Sequence, residues 1–325
     1  MFRLGNPRRK CELLNAMQAL IEIILPVFVV IGFGYLVTWR GIFSDAGVDG
    51  LVKFTQNFAI PCLLFRAISQ KDLGVSISTP LIFSYYIGAF ASFFAGYAGA
   101  RFLFDRSPVD AVAIGFCCLF SNTVLLGIPI TERAYGTDAL AANFAIISFH
   151  APLCYMLGVT AMEIARDPSS GMREKAKHVV DALSHNPFVI SILLGLIVNI
   201  LGLPVPKTLS AGIDLMADAA LPAALFGLGG ILFRYRPEGD MKTIMMVCVI
   251  SLVLHPTIVF ATGTLLGLGQ GALRSAVLTA AMAPGVNAYV FAHMYDAAKR
   301  VAASAVLIAT AASIVSVWVW LLILP

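Results

Sequence analysis

The chain of 325 residues is strongly apolar and carries little charge. Hydrophobic residues make up 59% of it and charged residues 12%, with a mean hydropathy of +0.88 and a formal net charge of +4. Because an ordinary soluble domain has about 25% charged residues, this composition excludes a soluble globular protein and indicates one that crosses a membrane several times.

Ten apolar stretches are long enough, at about 20 residues each, to cross the hydrocarbon layer of a bilayer as helices. We therefore expect an all-α polytopic membrane protein with ten transmembrane helices. The predicted spans are, in chain order, Leu20–Thr38, Gly50–Ala67, Pro80–Leu103, Ala111–Arg133, Ala139–Ile164, Pro187–Leu203, Leu209–Phe233, Thr243–Leu266, Ser275–Met294 and Val301–Leu324.

An internal duplication relates the two halves of the chain. The segment Ile60–Phe65, with the sequence IPCLLF, returns 161 residues later as Leu221–Phe226, with the sequence LPAALF. The same offset pairs Asn57 with Asp218. Each copy contains five predicted spans, and since five is odd the second copy must enter the membrane upside down. The sequence therefore predicts a 5+5 inverted repeat, an architecture typical of secondary transporters.

Four parts of the chain follow from this division. They are an N-terminal extension (1–16), a first five-helix repeat (17–164), a linker (165–186) and a second, inverted repeat (187–325). Thirteen Lys and Arg residues lie on the linker side of the predicted membrane and nine on the side of the amino terminus. The positive-inside rule therefore predicts a cytoplasmic linker and two extracytoplasmic termini in a cell (inner) membrane.

Several kinds of chemistry are not indicated by the sequence. It contains no Gly-x4-Gly-Lys-Ser/Thr phosphate cradle, so a gradient and not ATP is expected to drive uphill transport. The six cysteines lack metal-ligand spacing and are interpreted as packing residues, and we expect neither a metal site nor a cofactor. An intramembrane hydrolase would need a nucleophile beside a base, and Ser148 and His150 do not face each other on a helix. We therefore expect no enzyme.

Two predicted spans, the fourth and the ninth, combine a helix breaker with an asparagine. The fourth contains Ser121–Pro129, with the sequence SNTVLLGIP, and the ninth contains Ala281–Tyr289, with the sequence AMAPGVNAY. Proline removes a backbone donor, and the ends of half-helices carry a partial charge of about half a unit. Since broken backbone is tolerated at membrane depth only where it lines an enclosed cavity, these spans predict a binding site near the bilayer midplane.

Four motifs in the same order resemble those of the auxin efflux carrier family, a branch of the bile/arsenite/riboflavin transporter superfamily, which includes the bile acid sodium symporters. They are Asn57–Arg66 (NFAIPCLLFR), Ser121–Pro129, His185–Phe188 (HNPF) and Ala283–Ala292 (APGVNAYVFA). The resemblance covers nearly all of the chain from Met17 onward. It implies that the fourth and ninth helices are broken and cross, that they belong to a mobile bundle, and that the first, second, sixth and seventh spans form a scaffold.

The resemblance also implies a function and a site. The function is secondary transport of small organic anions, auxin in plant members and dicarboxylates such as malonate in bacterial ones. This chain lacks the long central loop of many plant carriers and is similar to the bacterial members. Asparagine amides can donate to a carboxylate without adding fixed charge. The implied substrate-binding residues are Asn122, Thr123, Gly127, Pro129, Pro284, Gly285 and Asn287, with Asn57 closing the pocket from the scaffold.

The coupling ion and the transport class stay open at this stage. Asp218 lies inside a predicted span, where an ionised carboxylate costs a few kcal/mol, so it must be protonated, paired or bound to a cation. Asp218 and His150 are the candidates for coupling to H+ or Na+, and a structural hydrogen-bonding role is the alternative for each.

An alternating-access anion carrier is expected first, by a rocking or an elevator motion. A sodium-coupled carrier like the bile acid symporters and an anion channel are the alternatives. The expected partners are the anion, the lipid bilayer and no nucleic acid, with a homodimer left open.

Overall fold

The computed structural model describes residues 20–70, 78–166, 184 and 187–324. The predicted extension 1–16 and nearly all of the predicted linker 165–186 lie outside the described residues, as do the first two residues of the HNPF motif. The described part of the chain is almost entirely helical and contains no sheet. By length and composition, six helices can cross a membrane: Ile21–Trp39, Thr79–Leu103, Thr137–Arg166, Lys207–Arg234, Met241–Leu265 and Lys299–Ile323.

The described residues of the first half of the chain form seven α-helices, several of them joined by short turns of other helix types. Their bounds are α1 Leu25–Trp39 after a π-helical turn Leu20–Ile24, α2 Asp45–Phe54, α3 Ile60–Gln70 after a π-helical turn Thr55–Ala59, α4 Thr79–Ala98 before a π-helical turn Gly99–Leu103, α5 Pro108–Leu119, α6 Ile128–Tyr135 after a π-helical turn Thr123–Gly127, and α7 Leu140–Arg166 after a 3-10 turn Thr137–Ala139.

Seven more helices lie within residues 187–324, the part of the second half that the structure describes. Their bounds are α8 Pro187–Ile200, α9 Lys207–Arg234, α10 Met241–Val249, α11 His255–Leu265 after a π-helical turn Ile250–Leu254, α12 Gln270–Ala280, α13 Val286–Met294 and α14 Lys299–Ile323. The four predicted spans outside the six long apolar helices correspond to an uninterrupted helical stretch at residues 45–70 and to shorter helices within residues 108–135, 187–200 and 270–294.

Serine side chains begin three of the helices. Ser44, Ser78 and Ser107 are the N-caps of α2, α4 and α5, and each accepts a hydrogen bond from the backbone N–H three residues later. A proline follows in the first turn of α4 and of α5. Proline is tolerated there because the N–H groups of the first turn have no acceptor within the helix, so its missing N–H costs no hydrogen bond. These starts follow from the local sequence alone.

Helices α1, α3, α8 and α9 pack against one another through small residues and one apolar cluster. A Cβ atom at Gly34 of α1 would lie 2.0 Å from the carbonyl oxygen of Phe226 in α9, and one at Gly229 would lie 2.0 Å from that of Ile31. The two backbones therefore touch, as small residues allow between membrane helices. The apolar cluster of α3, α8 and α9 also contacts α6 and α7, and the candidate site lies along this contact.

Candidate functional site

Two non-helical segments pair with each other in the interior of the protein. Helix α5 ends at Leu119 and helical structure resumes at Thr123, whereas α12 ends at Ala280 and α13 begins at Val286. The Asn122 N–H donates to the Ala283 carbonyl oxygen at 2.8 Å, and the Gly285 N–H donates to the Phe120 carbonyl oxygen at 2.8 Å. We call these paired segments, residues 120–122 and 283–285, the junction.

Proline fits the junction because its position requires no backbone donor. Ser121 and Pro284 lie opposite each other in an isolated antiparallel bridge, between the two hydrogen bonds of the junction. At such a pair the two residues exchange no N–H···O bonds, so the missing N–H of Pro284 costs no hydrogen bond. The junction thus provides backbone hydrogen bonds at the place where both helices are interrupted.

A small cavity of about 50 Å³ adjoins the junction and is lined by both halves of the chain. We call it the junction cavity. Its volume holds a few water molecules or one small polar group. It is lined by Gln56, Ile60, Phe120, Ser121, Asn122, Thr123, Val124, Leu125, Ile147, His150, Ala151, Phe188, Gly285, Val286 and Asn287. None of these side chains carries a fixed charge.

Asn122 lines this cavity and has an unused hydrogen-bond donor. It is the N-cap of the helical segment that starts at Thr123, and its Oδ1 atom accepts the Leu125 N–H at 3.2 Å. Because only the oxygen of the amide can accept that hydrogen bond, the orientation of the amide is fixed and Nδ2 lies on its other side. The residue is only 5% exposed, and Nδ2 has no hydrogen-bond partner within the described part of the chain.

Two helical segments begin at the junction cavity. The segment that leads into α6 starts at Thr123, and α13 starts at Val286 after Gly285, whose position as N-cap supplies no side-chain hydrogen bond. The first N–H groups of a helix have no acceptor inside the helix, and its amino terminus carries partial positive charge. Thr123, Val286 and Asn287 all line the cavity. The cavity therefore suits an anionic group.

The predicted substrate-binding residues divide into those that line the cavity and those that lie outside its wall. Asn122, Thr123, Gly285 and Asn287 line it. Three others stand beside it: Pro284 is in the junction, Gly127 ends the π-helical turn, and Pro129 is the second residue of α6.

The scaffold residue predicted to close the pocket faces elsewhere. Asn57 is exposed and does not line the junction cavity, whereas its neighbour Gln56 does. Both residues belong to the π-helical turn Thr55–Ala59, which changes the angular position of side chains relative to a regular α-helix. The sequence gives no local signal of this turn, and Gln56 was not predicted.

Buried polar side chains of three helices stand behind the junction. His150 lines the cavity, is buried, and has its Nδ1 atom 3.7 Å from Cys154 Sγ. His255 Nδ1 lies 3.2 Å from the Ser121 hydroxyl oxygen and so links α11 to the junction. The ring of Tyr85 is in edge contact with both imidazole rings, with centroids 5.8 and 5.3 Å away. Ser121 and Tyr85 were not predicted as site residues.

The other predicted coupling residue, Asp218, lies at a second and larger cavity. We call this cavity the vestibule. It has a volume of about 390 Å³ and is lined by Leu63, Arg66, Ala67, Ile128, Glu132, Thr137, Leu140, Phe144, Ala217, Asp218, Leu221 and Pro222. Asp218 Oδ1 lies 2.8 Å from Arg66 Nη1, so this carboxylate is paired. Across the described residues, no three His, Cys, Asp or Glu side chains are grouped as metal ligands would be.

Comparison with known proteins places this geometry among transporters. The family model described as "Membrane transport protein" matches residues 19–321. The "Putative malonate transporter" of Rhizobium meliloti (strain 1021) is 24% identical over 303 residues, which cover 93% of this chain and 94% of the relative. The "Uncharacterized transporter YfdV" of Escherichia coli (strain K12) is 22% identical, with 92% and 95% covered. The "Auxin efflux carrier component 8" of Arabidopsis thaliana is 24% identical, with 84% and 88% covered.

Proposed function

The chain belongs to the auxin efflux carrier family of membrane transport proteins, and from that premise we propose that it is a secondary active transporter of small organic anions. The family match confirms the resemblance that the four motifs predicted. It also confirms that the chain is a multi-pass membrane transporter and not an enzyme.

The unused donor of Asn122 carries the proposal. A buried donor without an acceptor costs about 1–3 kcal/mol, and a carboxylate in the junction cavity supplies the acceptor. The amino termini of α13 and of the segment at Thr123 add positive potential at the same place. Because the wall of the junction cavity contains no fixed positive charge, the carboxylate inside it is held by dipoles alone. Such a site releases its substrate as readily as a carrier requires.

Alternating access is the proposed mechanism. Ten crossings form a 5+5 inverted repeat, with the repeats at 17–164 and 187–325, the linker 165–186 in the cytoplasm and both termini outside an inner membrane. The 161-residue offset and the pairing of residues 120–122 with 283–285 support this arrangement. The junction lies against the contact of α6 and α7 with α3, α8 and α9. Rocking or sliding of one group of helices along that contact exposes the site to either side in turn.

The substrate and the coupling ion complete the proposal. Malonate is named for one relative and auxin for another, and both compounds carry a carboxylate. Mono- and dicarboxylates are therefore the substrate class for this chain.

An ion gradient supplies the energy of uphill transport, with H+ or Na+ as the ion and with Asp218 and His150 as the candidate coupling residues. Replacing Asp218 with Asn should abolish the dependence of uptake on the gradient, and uptake that keeps its dependence would remove this role.

A thermal-shift screen of the purified full chain tests the proposal. Mono- and dicarboxylates are added one at a time, with and without sodium, and the midpoint of thermal unfolding is recorded. A ligand at 100 times its Kd stabilises the folded state by about 2.7 kcal/mol, so carboxylates that bind should raise Tm clearly. A shift that appears only with sodium assigns the coupling ion. If no carboxylate raises Tm under either condition, the proposed substrate class is wrong.

A further inference from the structure

The vestibule and the junction cavity lie in line along the same helices. On α3 the junction cavity is lined by Ile60 and the vestibule by Leu63, and on α7 they are lined by Ile147 and Phe144. Three residues are nearly one helical turn, a rise of about 4.5 Å. The vestibule therefore stands one turn beyond the junction cavity, toward the end of α3 and the start of α7. The two cavities are therefore neighbours along α3 and α7.

The vestibule contains a cationic side chain that the junction cavity lacks. Arg66 of α3 lines it, and its Nη1 atom lies 2.8 Å from Asp218 and 3.6 Å from Asp214, both on α9. Arg66 is six residues along α3 from Ile60, which lines the junction cavity, a rise of about 9 Å. A guanidinium group has five N–H donors in a planar fork, and these two carboxylates engage it through one nitrogen.

Asp214 and Asp218 are weak competitors for this guanidinium. The Arg66 side chain is 27% exposed and the Asp218 side chain 70% exposed, and exposed ion pairs contribute less than about 1 kcal/mol. Two carboxylates, those of Asp218 and of Glu132 on α6, line the vestibule together with the Arg66 guanidinium. A carboxylate that meets the free edge of the fork can bind through two parallel hydrogen bonds, which is the stronger geometry.

We propose that Arg66 is a second anion-recognition residue, which binds one carboxylate of a dicarboxylate while the other occupies the junction cavity. The inference rests on the proposed function and narrows its substrate class from organic anions to dicarboxylates. The junction cavity, at about 50 Å³, has room for one carboxylate group, so the remainder of the substrate extends into the vestibule. There it displaces Asp218 from Arg66, and Asp218 returns when the substrate leaves.

Calorimetric titration of the purified full chain with malonate and with propionate tests this inference. Arg66→Gln should raise the Kd of malonate roughly tenfold or more, the loss expected for hydrogen bonds between charged groups, and should leave the Kd of propionate within about twofold. Asp218→Asn removes the competitor and should lower the Kd of malonate by roughly twofold to fivefold. Because misfolding cannot tighten binding, this second variant keeps the test valid if Arg66→Gln is unstable.

Arg133→Gln is the matched control. This substitution removes the same charge as Arg66→Gln. The Arg133 guanidinium, however, donates to the backbone carbonyl of Glu22 and does not line the vestibule. It should bind malonate as the unmodified chain does. Equal losses for malonate and propionate in Arg66→Gln, or unchanged malonate binding in both vestibule variants, would overturn the inference and leave the proposed function intact. If the unmodified chain binds neither acid, the proposed function falls together with the inference.

Discussion

The two helix interruptions have different local chemistry, although they occupy matching places in the two halves of the chain. The first is capped by its own side chain, since Asn122 accepts the Leu125 N–H, and it continues through a π-helical turn. The second has Gly285 as its N-cap, with no side-chain hydrogen bond, and passes directly into α13. The first interruption thus supplies a directed amide donor, whereas the second supplies backbone N–H groups.

Gly285 is required for close approach and not for an unusual backbone conformation. Its φ is −70°, which any residue adopts. A Cβ atom there would lie 3.3 Å from Phe120 Cδ1 and 3.5 Å from Asn122 Cα. The absence of a side chain at Gly285 therefore allows the backbone of the first interruption to pack closely against the second. The comparison predicts that recognition depends more on the first interruption and that junction geometry depends on the second.

Asn122→Asp should have the largest effect. Aspartate keeps the oxygen that caps Leu125, but Tm should fall, because an ionised carboxylate buried inside a span costs a few kcal/mol. It replaces the amide donor with a negatively charged oxygen, which repels a carboxylate. We expect the Kd of malonate to rise roughly a hundredfold, the upper range for a hydrogen bond to a charged group, as measured by calorimetry. Asn122→Ala is the companion variant and should lose about 1 kcal/mol of stability in addition, because the cap is removed. Malonate binding retained in Asn122→Asp would show that the amide is not the recognition group.

Gly285→Ala should have the next largest effect. The added methyl group must displace the Phe120 ring by a few tenths of an ångström, and overpacking of this kind costs about 1–3 kcal/mol. We expect a lower Tm and slower uptake of labelled malonate into proteoliposomes. Gly271→Ala is the control, since a Cβ atom at that position of α12 would meet nothing within 4 Å. If the two alanine variants behave alike, the close approach at the junction is not required.

Asn287→Ala should have the smallest effect of the three. Asn287 lines the cavity but is not the N-cap of α13, and the backbone donors of that helix remain after the change. The loss is one neutral side chain, so we expect the Kd of malonate to rise about threefold to tenfold, which calorimetry can resolve. A loss larger than that of Asn122→Asp would reverse the assignment of roles to the two interruptions.

Three of the residues that the sequence predicts as substrate-binding share one property. Asn122, Gly285 and Asn287 stand next to a helix breaker within an apolar stretch, and the structure places all three at the cavity. A breaker in such a stretch leaves backbone groups that need a polar surrounding, so local sequence is sufficient to locate them.

Other features depend on contacts that local sequence does not encode. Gln56 and not Asn57 lines the cavity, and both lie in a π-helical turn that the α-helical period of the sequence does not predict. The partner of Asp218 is Arg66, 152 residues away, and only the packing of α3 against α9 brings them together. The predicted second span begins at Gly50, whereas the helix begins at Asp45 after the N-cap Ser44. A search for long apolar stretches leaves out the first turns of this helix because they are polar.

Counterflow of labelled malonate in proteoliposomes tests the central claim most directly, namely that the junction cavity is the binding site of a carrier. Vesicles loaded with unlabelled malonate are diluted into a trace of labelled malonate, for the unmodified chain and for Asn122→Asp. The account predicts accumulation of label that saturates with concentration in the unmodified chain and is absent in Asn122→Asp. Movement that does not saturate, or that is equal in both proteins, would contradict it.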